Sequence, residues 1–343
     1  MYVISCEGIN TLLFEACKLL ILHGIPRQIG TDTCCEYPEP VCFKMKNPHA
    51  RWVIIPQRKW NIFLAYAESL WIAAGRNDLS FIGCYLNRMV NFSDDGLTLR
   101  GGYGPRIRAY DGTFNDYLAY GLAPSISNVN SASVDQFKFI VDCFNEDINT
   151  RKAVIQIGDP LKDCFDKTGK KKSTKDFPCT RTLHFIKDAT APKLNLIVHM
   201  RSNDLLWGTT GVNIFNFTFM QEYIARIVGL ELGYYYHIAD NFHFYEKYKE
   251  KVFAISKLNI KSEPLFIYPA DKFSLTEFNE RVTHLSEWEQ ELREGHKNKL
   301  IRFNDPFFDD WAAVLYRFHH KLTVPFVNPI LNEIFGEKEN GHG

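Results

Sequence analysis

The sequence predicts a single compact domain of mixed helix and strand over residues 1–255, followed by a helical extension over residues 256–343. Three observations predict it. Apolar residues spaced three and four apart alternate along the chain with short runs that read as strands. The 343 residues are 45% hydrophobic and 14% aromatic, enough to bury a large core. From about residue 275 the pattern turns charged and helical, and no internal repeat or low-complexity tract divides what precedes it.

In chain order, residues 10–23 place Leu12, Leu13, Ala16, Leu19 and Leu20 on one helical face. Pro26 to Asp32 reads as a turn-rich loop holding Arg27. Residues 60–75 are apolar almost all round, which predicts a buried helix ending at Gly75. Glu68 lies in its middle, and a carboxylate there is costly unless it has a partner or a function. Residues 91–108 are glycine-rich and read as a loop, and Arg151 to Gly158 alternates like a strand. Residues 166–176 (DKTGKKKSTKD) form a charged, turn-forming insertion with the composition of a mobile surface loop. Thr180 to Ile186 and Leu194 to Met200 read as consecutive buried strands. From Val212 to Val228, Ile214, Phe217, Met220, Tyr223, Ile224 and Ile227 share one face of an amphipathic helix with Asn213 at its start. Gly233 to Ala239 is an aromatic-rich strand, and a last apolar helix is expected over 309–321.

Lys plus Arg (40) balances Asp plus Glu (40), so no global positive field draws nucleic acid or anionic lipid, and a small ligand is expected. The nine cysteines contain no CxxC pair, and their odd number leaves a thiol over in any monomeric disulfide scheme. Reduced thiols, no metal site and a cytoplasmic location are the expectation. The first residues carry no basic leader segment, and no apolar run approaches the roughly 18 to 20 residues of a membrane span.

Several residues can carry chemistry. Cys179 follows Pro178 at a strand edge, with Arg181 and Arg201 near enough in sequence to lower the thiol pKa and raise the thiolate fraction. Arg201-Ser202 and Arg151-Lys152 offer cations and a hydroxyl for a phosphate. Asn213 has a donor and an acceptor matched to a pyrimidine edge, and His243 and Tyr245 share one face of an extended segment that can reach a sugar. Taken singly each is weak. A cysteine is commonly a small buried hydrophobe, an asparagine before a helix is commonly a cap, and the aromatic pair suits a core strand.

Together, Pro178-Cys179, Arg201-Ser202-Asn203-Asp204, Gly208, Val212-Asn213-Ile214, Gly229-Leu230-Glu231-Leu232-Gly233 and His243-x-Tyr245 resemble, in order and approximate spacing, thymidylate synthase and the related pyrimidine nucleotide 5-hydroxymethylases. Upstream, Arg27 with Gly30-Thr31-x-Thr33, Glu68 with Leu70-Trp71, Tyr103-Gly104 and Arg151-Lys152 extend the resemblance over roughly residues 10–250. It implies an α/β fold with a large mixed sheet packed against its twin in a homodimer. It also implies 5,10-methylenetetrahydrofolate as cofactor and a pyrimidine nucleoside monophosphate as substrate. Cys179 would add to C6 of the base, Arg201 would hold thiolate and phosphate, Glu68 would relay protons at the cofactor, and Tyr103 would assist loss of the C5 proton. Asn213 would read the base, His243 and Tyr245 the sugar, and Asp204 would orient the folate. Arg27, Ser202 and the partner's copies of Arg151 and Lys152 would bind phosphate.

Departures from the family pattern bear on the product. Thr180 and Met200 stand where histidine and glutamine are usual, and Lys152 replaces an arginine, leaving ribose or deoxyribose open. The stretch Arg88 to Phe92 lacks the tryptophan that usually lies over the cofactor, and the chain ends Glu-Lys-Glu-Asn-Gly-His-Gly instead of in a short apolar closing tail. A less closed site favours addition of water to the exocyclic methylene over hydride transfer, hence a hydroxymethyl product. Reductive methylation, as in a thymidylate synthase proper, is the alternative, and an inactive nucleotide-binding relative is a third. Asn213 favours uracil, but the loop Gly208 to Val212 is about one residue longer than usual, which leaves cytosine open.

Overall fold

The computed structural model describes residues 1–126, 133–260, 262–269 and 271–339. The chain opens with β1 (Tyr2–Cys6), α1 (Ile9–His23), β2 (Ile25–Ile29), β3 (Asp32–Glu36) and β4 (Val41–Met45). Four helices follow, α2 (Ile62–Ala73), α3 (Leu79–Tyr85), α4 (Tyr103–Arg108) and α5 (Gln136–Glu146), then β5 (Val154–Gln156) and the single turn α6 (Pro160–Asp163). Next come β6 (Thr180–Lys187), β7 (Lys193–Met200), the short β8 (Asn203–Asp204), α7 (Ile214–Val228), β9 (Glu231–Ala239) and β10 (Phe242–Tyr245). The chain continues through α8 (Lys249–Ser256), α9 (Leu275–Arg293), α10 (Pro306–His320) and α11 (Pro329–Glu339).

The strands form two mixed sheets rather than one. Six strands run in the order β1-β4-β9-β7-β6-β5, with β1–β4 and β7–β9 parallel and the other pairs antiparallel. Four strands, in the order β2-β3-β10-β8, make the second sheet. The break falls where β7 ends at Met200 and β9 at Ala239: both strands carry on past their sheet, as β8 and β10, into the small one. The residues that resemble nucleotide-binding positions sit at this junction.

One face of the large sheet (Phe43, Leu183, Phe185, Leu196, Val198, Tyr235) is buried and belongs to the same core as the apolar faces of α1, α2 and α7. Helix α2 is apolar all round because it is enclosed, with Ile62, Ala65, Tyr66 and Leu70 fully buried. Its N-cap Asn61 accepts from the Leu64 N–H (3.2 Å), an arrangement typically worth about 1 kcal/mol. Helix α7 ends at Gly229, whose φ of 74° is the left-handed conformation that lets its N–H close on Ala225. The C-terminal helices lie against α2 and α3, where the Trp311 indole donates to the Tyr66 carbonyl (2.9 Å) and the Tyr85 hydroxyl to Glu289 (2.9 Å).

Three local expectations are corrected. Pro26 to Asp32 is a β-hairpin turning at Gly30 (φ 58°), because β3 finds an antiparallel partner in β10 that no local pattern reveals. The glycine-rich stretch ends in helix α4, which begins at Tyr103. The charged insertion 166–176 is tied down rather than loose: Thr174 and the Lys175 N–H (2.9 Å) both donate to Asp94, and Asp176 accepts from the Gly101 N–H (2.7 Å). Its charges find partners on the neighbouring loop, and that holds it.

Candidate active site

Cys179 is the last residue before β6 and is half-buried. Its carbonyl accepts from the Arg201 N–H (3.0 Å), the bond that brings the start of β6 beside the end of β7. The Arg201 guanidinium returns across that junction. Its Nε donates to the Pro178 carbonyl (3.1 Å) and its Nη2 to the Phe177 carbonyl (2.9 Å), and Nη2 also lies 3.6 Å from Cys179 Sγ. Burial nevertheless pushes the thiol up, against the pull of Arg201, and Asp176 adds to the rise. This corrects the expectation of a lowered thiol: the guanidiniums are present, but desolvation outweighs them.

Glu68 projects from the middle of α2 and is half-buried. Desolvation pushes its carboxyl up to about 7, while the Asn216 carboxamide favours the charged form and Asp176 opposes it. Asn216 is itself held, its Oδ1 accepting from the Ser69 hydroxyl (2.8 Å). One residue further along α7, Phe217 stacks on the Tyr103 ring (6.1 Å between centroids), and the Tyr103 hydroxyl accepts from the Thr180 N–H (3.4 Å). Asn213, Asn216 and Phe217 are three and four apart, so one face at the start of α7 carries Asn213 and addresses Glu68 and Tyr103 together.

Asn213 does not cap α7. Its side chain turns to Asn203, whose Nδ2 donates to Asn213 Oδ1 (3.0 Å). The extra residue in the preceding loop is taken up as a π-helical segment, Leu205–Asn213, an uncommon geometry found often at functional sites. Arg58 braces this segment from behind, donating to the Thr210 hydroxyl (3.3 Å) and to the Leu206 and Thr210 carbonyls.

In the small sheet, His243 and Tyr245 share a face of β10, with their rings 5.4 Å apart. Asn241 Oδ1 ties His243 Nδ1 (2.7 Å) to the Ser202 hydroxyl (3.2 Å), so sugar-side and phosphate-side candidates are linked. Burial lowers His243 and raises Asp204, its neighbour across the β8–β10 pair. Asp204 accepts from the Trp207 N–H through Oδ1, while its buried Oδ2 has no partner among the described residues. An unpaired buried acceptor of this kind fits the N–H donors of a pterin ring.

Next to it, Trp207 stacks on Phe92 (6.3 Å) and lies under Arg88 (4.2 Å). Residues 88–92 lack a tryptophan, but Phe92 is joined here by a tryptophan from another segment. A cleft of about 210 Å³ opens here, lined by Arg58, Trp60, Arg88, Trp207 and Lys251 among others.

The cations expected at the phosphate are not all gathered. Arg27 lies on the exposed hairpin, paired with Glu36 (2.7 Å) and separated from Tyr245 in the sheet only by Cys34 of β3. Arg151 and Lys152 are exposed, precede β5 at the sheet edge, and have no ion-pair partner among the described residues. The C-terminal residues 340–343, where the altered tail ends, lie outside the described residues.

Residues 21–292 match the family model for thymidylate synthase, most of the chain. The chain belongs to the thymidylate synthase family. It is 30% identical to the deoxyuridylate hydroxymethyltransferase of Pseudomonas phage M6, over 93% of this chain and 84% of that protein. Identity is 33% to the enzyme of the same name from Bacillus phage SP01, over 79% of this chain and 68% of that protein. A thymidylate synthase of Bacillus licheniformis is 28% identical over 45% of this chain and 49% of its own length. The chain is a one-carbon transferase, and the two phage relatives named above, which it matches over most of its length, are hydroxymethyltransferases.

Sequence reading missed Asn216, Trp207, Asp176 and the residues behind Asn213. Asn216 was within reach, being one helical turn from Asn213 on the same face. Trp207 and Asp176 lie three residues from Asp204 and Cys179, but only the fold shows what their side chains meet.

Proposed function

We propose that this protein converts deoxyuridylate to its 5-hydroxymethyl derivative, with 5,10-methylenetetrahydrofolate as the one-carbon donor. Contact of the Arg201 guanidinium with the Cys179 thiol, with Tyr103 sensing both that thiol and a Glu68 carboxyl raised to about 7, is the observation that carries the reading. The cofactor supplies an electrophilic carbon at the oxidation level of formaldehyde. Cys179 Sγ adds to C6 of the uracil, which makes C5 nucleophilic. Arg201 loses little in stabilising the thiolate, since Nε and Nη2 are already fixed on the Pro178 and Phe177 carbonyls, which leaves Nη1 for the phosphate. Glu68, poised at about 7, takes and returns protons at neutral pH, and Tyr103 assists loss of the C5 proton. Once C5 has bonded to the donated carbon and tetrahydrofolate has departed with loss of the C5 proton, water adds to the exocyclic carbon and Cys179 leaves C6.

Asp204 and Trp207 face the cofactor, His243 and Tyr245 the sugar, and Arg27, Arg201 and Ser202 the phosphate. Exposed Arg151 and Lys152 complete that set from a partner subunit. The homodimer is supported by the uncovered face of the large sheet, where Tyr234 is exposed and Ile186, Ile197, Tyr236 and Ile238 are half-buried. Residues 256–343 extend the catalytic domain of residues 1–255 with helices laid on α2 and α3. No helix among the described residues is long and apolar enough to cross a membrane, and none of the nine cysteines is paired in a disulfide, which suits a reducing cytoplasm.

The test supplies purified protein and the folate with C5-tritiated UMP, dUMP, CMP and dCMP in turn. Tritium release from dUMP with a hydroxymethyl product and no dihydrofolate is expected. A methyl product with stoichiometric dihydrofolate would make it a thymidylate synthase, and no release from any nucleotide would point to an inactive binding relative.

A further inference from the structure

We infer that Tyr235, His237 and Asn203 are positioning residues that fix which way the Asn213 carboxamide faces and so make the base site select uracil over cytosine; this rests on the function proposed above. The Tyr235 hydroxyl meets His237 Nδ1 at 2.8 Å, His237 Nε2 meets Asn203 Oδ1 at 3.0 Å, and Asn203 Nδ2 meets Asn213 Oδ1 at 3.0 Å. The Thr209 hydroxyl donates to the same Asn203 Oδ1. Tyr235, His237 and Thr209 are wholly buried, and Asn203 and Asn213 nearly so.

The hydrogens of this chain can be placed in one way. Burial pushes His237 down to about 3, so the imidazole is neutral and carries a single N–H. With Tyr235 donating to Nδ1, Nε2–H and the Thr209 hydroxyl both donate to Asn203 Oδ1, and Asn203 Nδ2 donates onward to Asn213 Oδ1. If the Asn203 amide is reversed, its nitrogen faces Nε2, and Nδ1–H must point at Tyr235. The hydroxyl hydrogens of Tyr235 and Thr209 then have no acceptor among the described residues. Each orphaned buried donor disfavours that arrangement by about tenfold or more.

Asn213 is therefore held with Oδ1 inward and Nδ2 free to donate, since Nδ2 has no partner among the described residues. A 4-oxo group accepts from Nδ2, whereas the 4-amino group of cytosine is itself a donor. The second lone pair of Oδ1 suits N3–H of uracil. Room for the cluster comes from Gly208: a Cβ there would lie 2.4 Å from Asn203 Nδ2 and 2.7 Å from Asn213 Oδ1. An asparagine alone can present either edge. The chain behind it removes the choice.

Asn203→Asp inverts the lock. The carboxylate accepts from Thr209, from His237 Nε2–H and from Asn213, which must turn Nδ2 inward and show Oδ1 to the base. Relative to wild type, the ratio of kcat/KM for dUMP over dCMP, read from tritium release, is expected to fall by about tenfold or more, with the dCMP value rising. His237→Gln, which can still donate to Asn203, keeps the wild-type ratio, and His237→Leu erodes it. A folded Asn203→Asp enzyme with the wild-type ratio would overturn the inference. Nitrogen-15 spectra of the wild-type protein test it independently of any variant: His237 must be the Nε2–H tautomer, and an Nδ1–H tautomer would overturn it. Failure of wild type to turn over dUMP would instead strike the proposed function. Calorimetric titration with dUMP and dCMP then still reads base preference in wild type and Asn203→Asp, an unchanged preference again overturning the inference.

Discussion

Around Asn213, the amide of Asn203, the imidazole of His237 and the hydroxyls of Tyr235 and Thr209 are paired inside a buried cluster; around Cys179, polar groups are half-accessible and some are left over. Next to Cys179, Thr180 Oγ1 is buried without a hydrogen-bond partner among the described residues, and Cys179 Sγ has one long contact from Arg201. The difference matches what the proposed function asks of each region. Recognition of a base edge is most selective when the protein atoms cannot rearrange to suit a competitor. A reacting thiol and a proton relay must change state during the cycle, so their environment leaves bonds open for ligands to complete.

The comparison breaks most directly at the proposed nucleophile. Cys179→Ala should lower tritium release from dUMP by on the order of 10⁴-fold or more. The melting temperature should move little, since a half-buried thiol contributes modest packing. A folded variant that keeps its activity would mean the open region is not the reacting one.

Glu68→Gln comes next, with an expected loss of about 10² to 10⁴-fold. It also carries a pH signature. The carboxyl sits at about 7 in the fold against an ordinary 4.5, so between those values the folded protein binds the proton more tightly than the unfolded chain. Stability contributed by that proton is present below about 4.5 and is lost as pH rises through 7. The loss is at most about 3 kcal/mol, less whatever water reaching this half-buried group screens. Thermal melts at pH 5 and pH 8 should show this fall in wild type and lack it in Glu68→Gln.

Arg201→Ala is expected to cost about 10 to 10²-fold in kcat/KM and to sharpen the account of the thiol. Burial already holds Cys179 up, and Arg201 is the largest influence opposing it. Without the guanidinium, the pH midpoint of Cys179 alkylation by iodoacetamide should move higher; an unmoved midpoint would show that Arg201 serves the phosphate and the loop alone. The smallest effect is expected at Trp207→Leu, a severalfold rise in KM for the folate with kcat for dUMP nearly kept. A large fall in kcat instead would place Trp207 against the reacting carbon.

The order of elements and the candidate reacting residues were legible from the sequence for physical reasons. Helices α1, α2 and α7 and strands β6, β7 and β9 carry their periodicity in the apolar residues that face the core, and such a face is written locally. Cys179, Glu68, Tyr103, Arg201 and Asn213 stand in motifs whose order alone points to a family. Local pattern did not reach the hairpin β2–β3 or the pinning of residues 166–176, because both depend on partners far along the chain. The net rise of the Cys179 pKa is of the same kind. Proximity of arginines is visible in sequence, but desolvation is a property of the finished packing.

The sequence by itself determined the chemistry on offer: a thiol, a carboxylate inside an apolar helix, guanidiniums, and a carboxamide before an amphipathic helix. The tertiary structure alone decided how that chemistry is poised. It set Glu68 near neutrality by enclosing it, brought Trp207 to Phe92 from more than a hundred residues away, and joined Asn203 on β8, His237 on β9 and Asn213 before α7 into one chain of hydrogen bonds. Burial and hydrogen-bond direction arise between elements rather than within them, and so they exist only once the sheets and helices have packed.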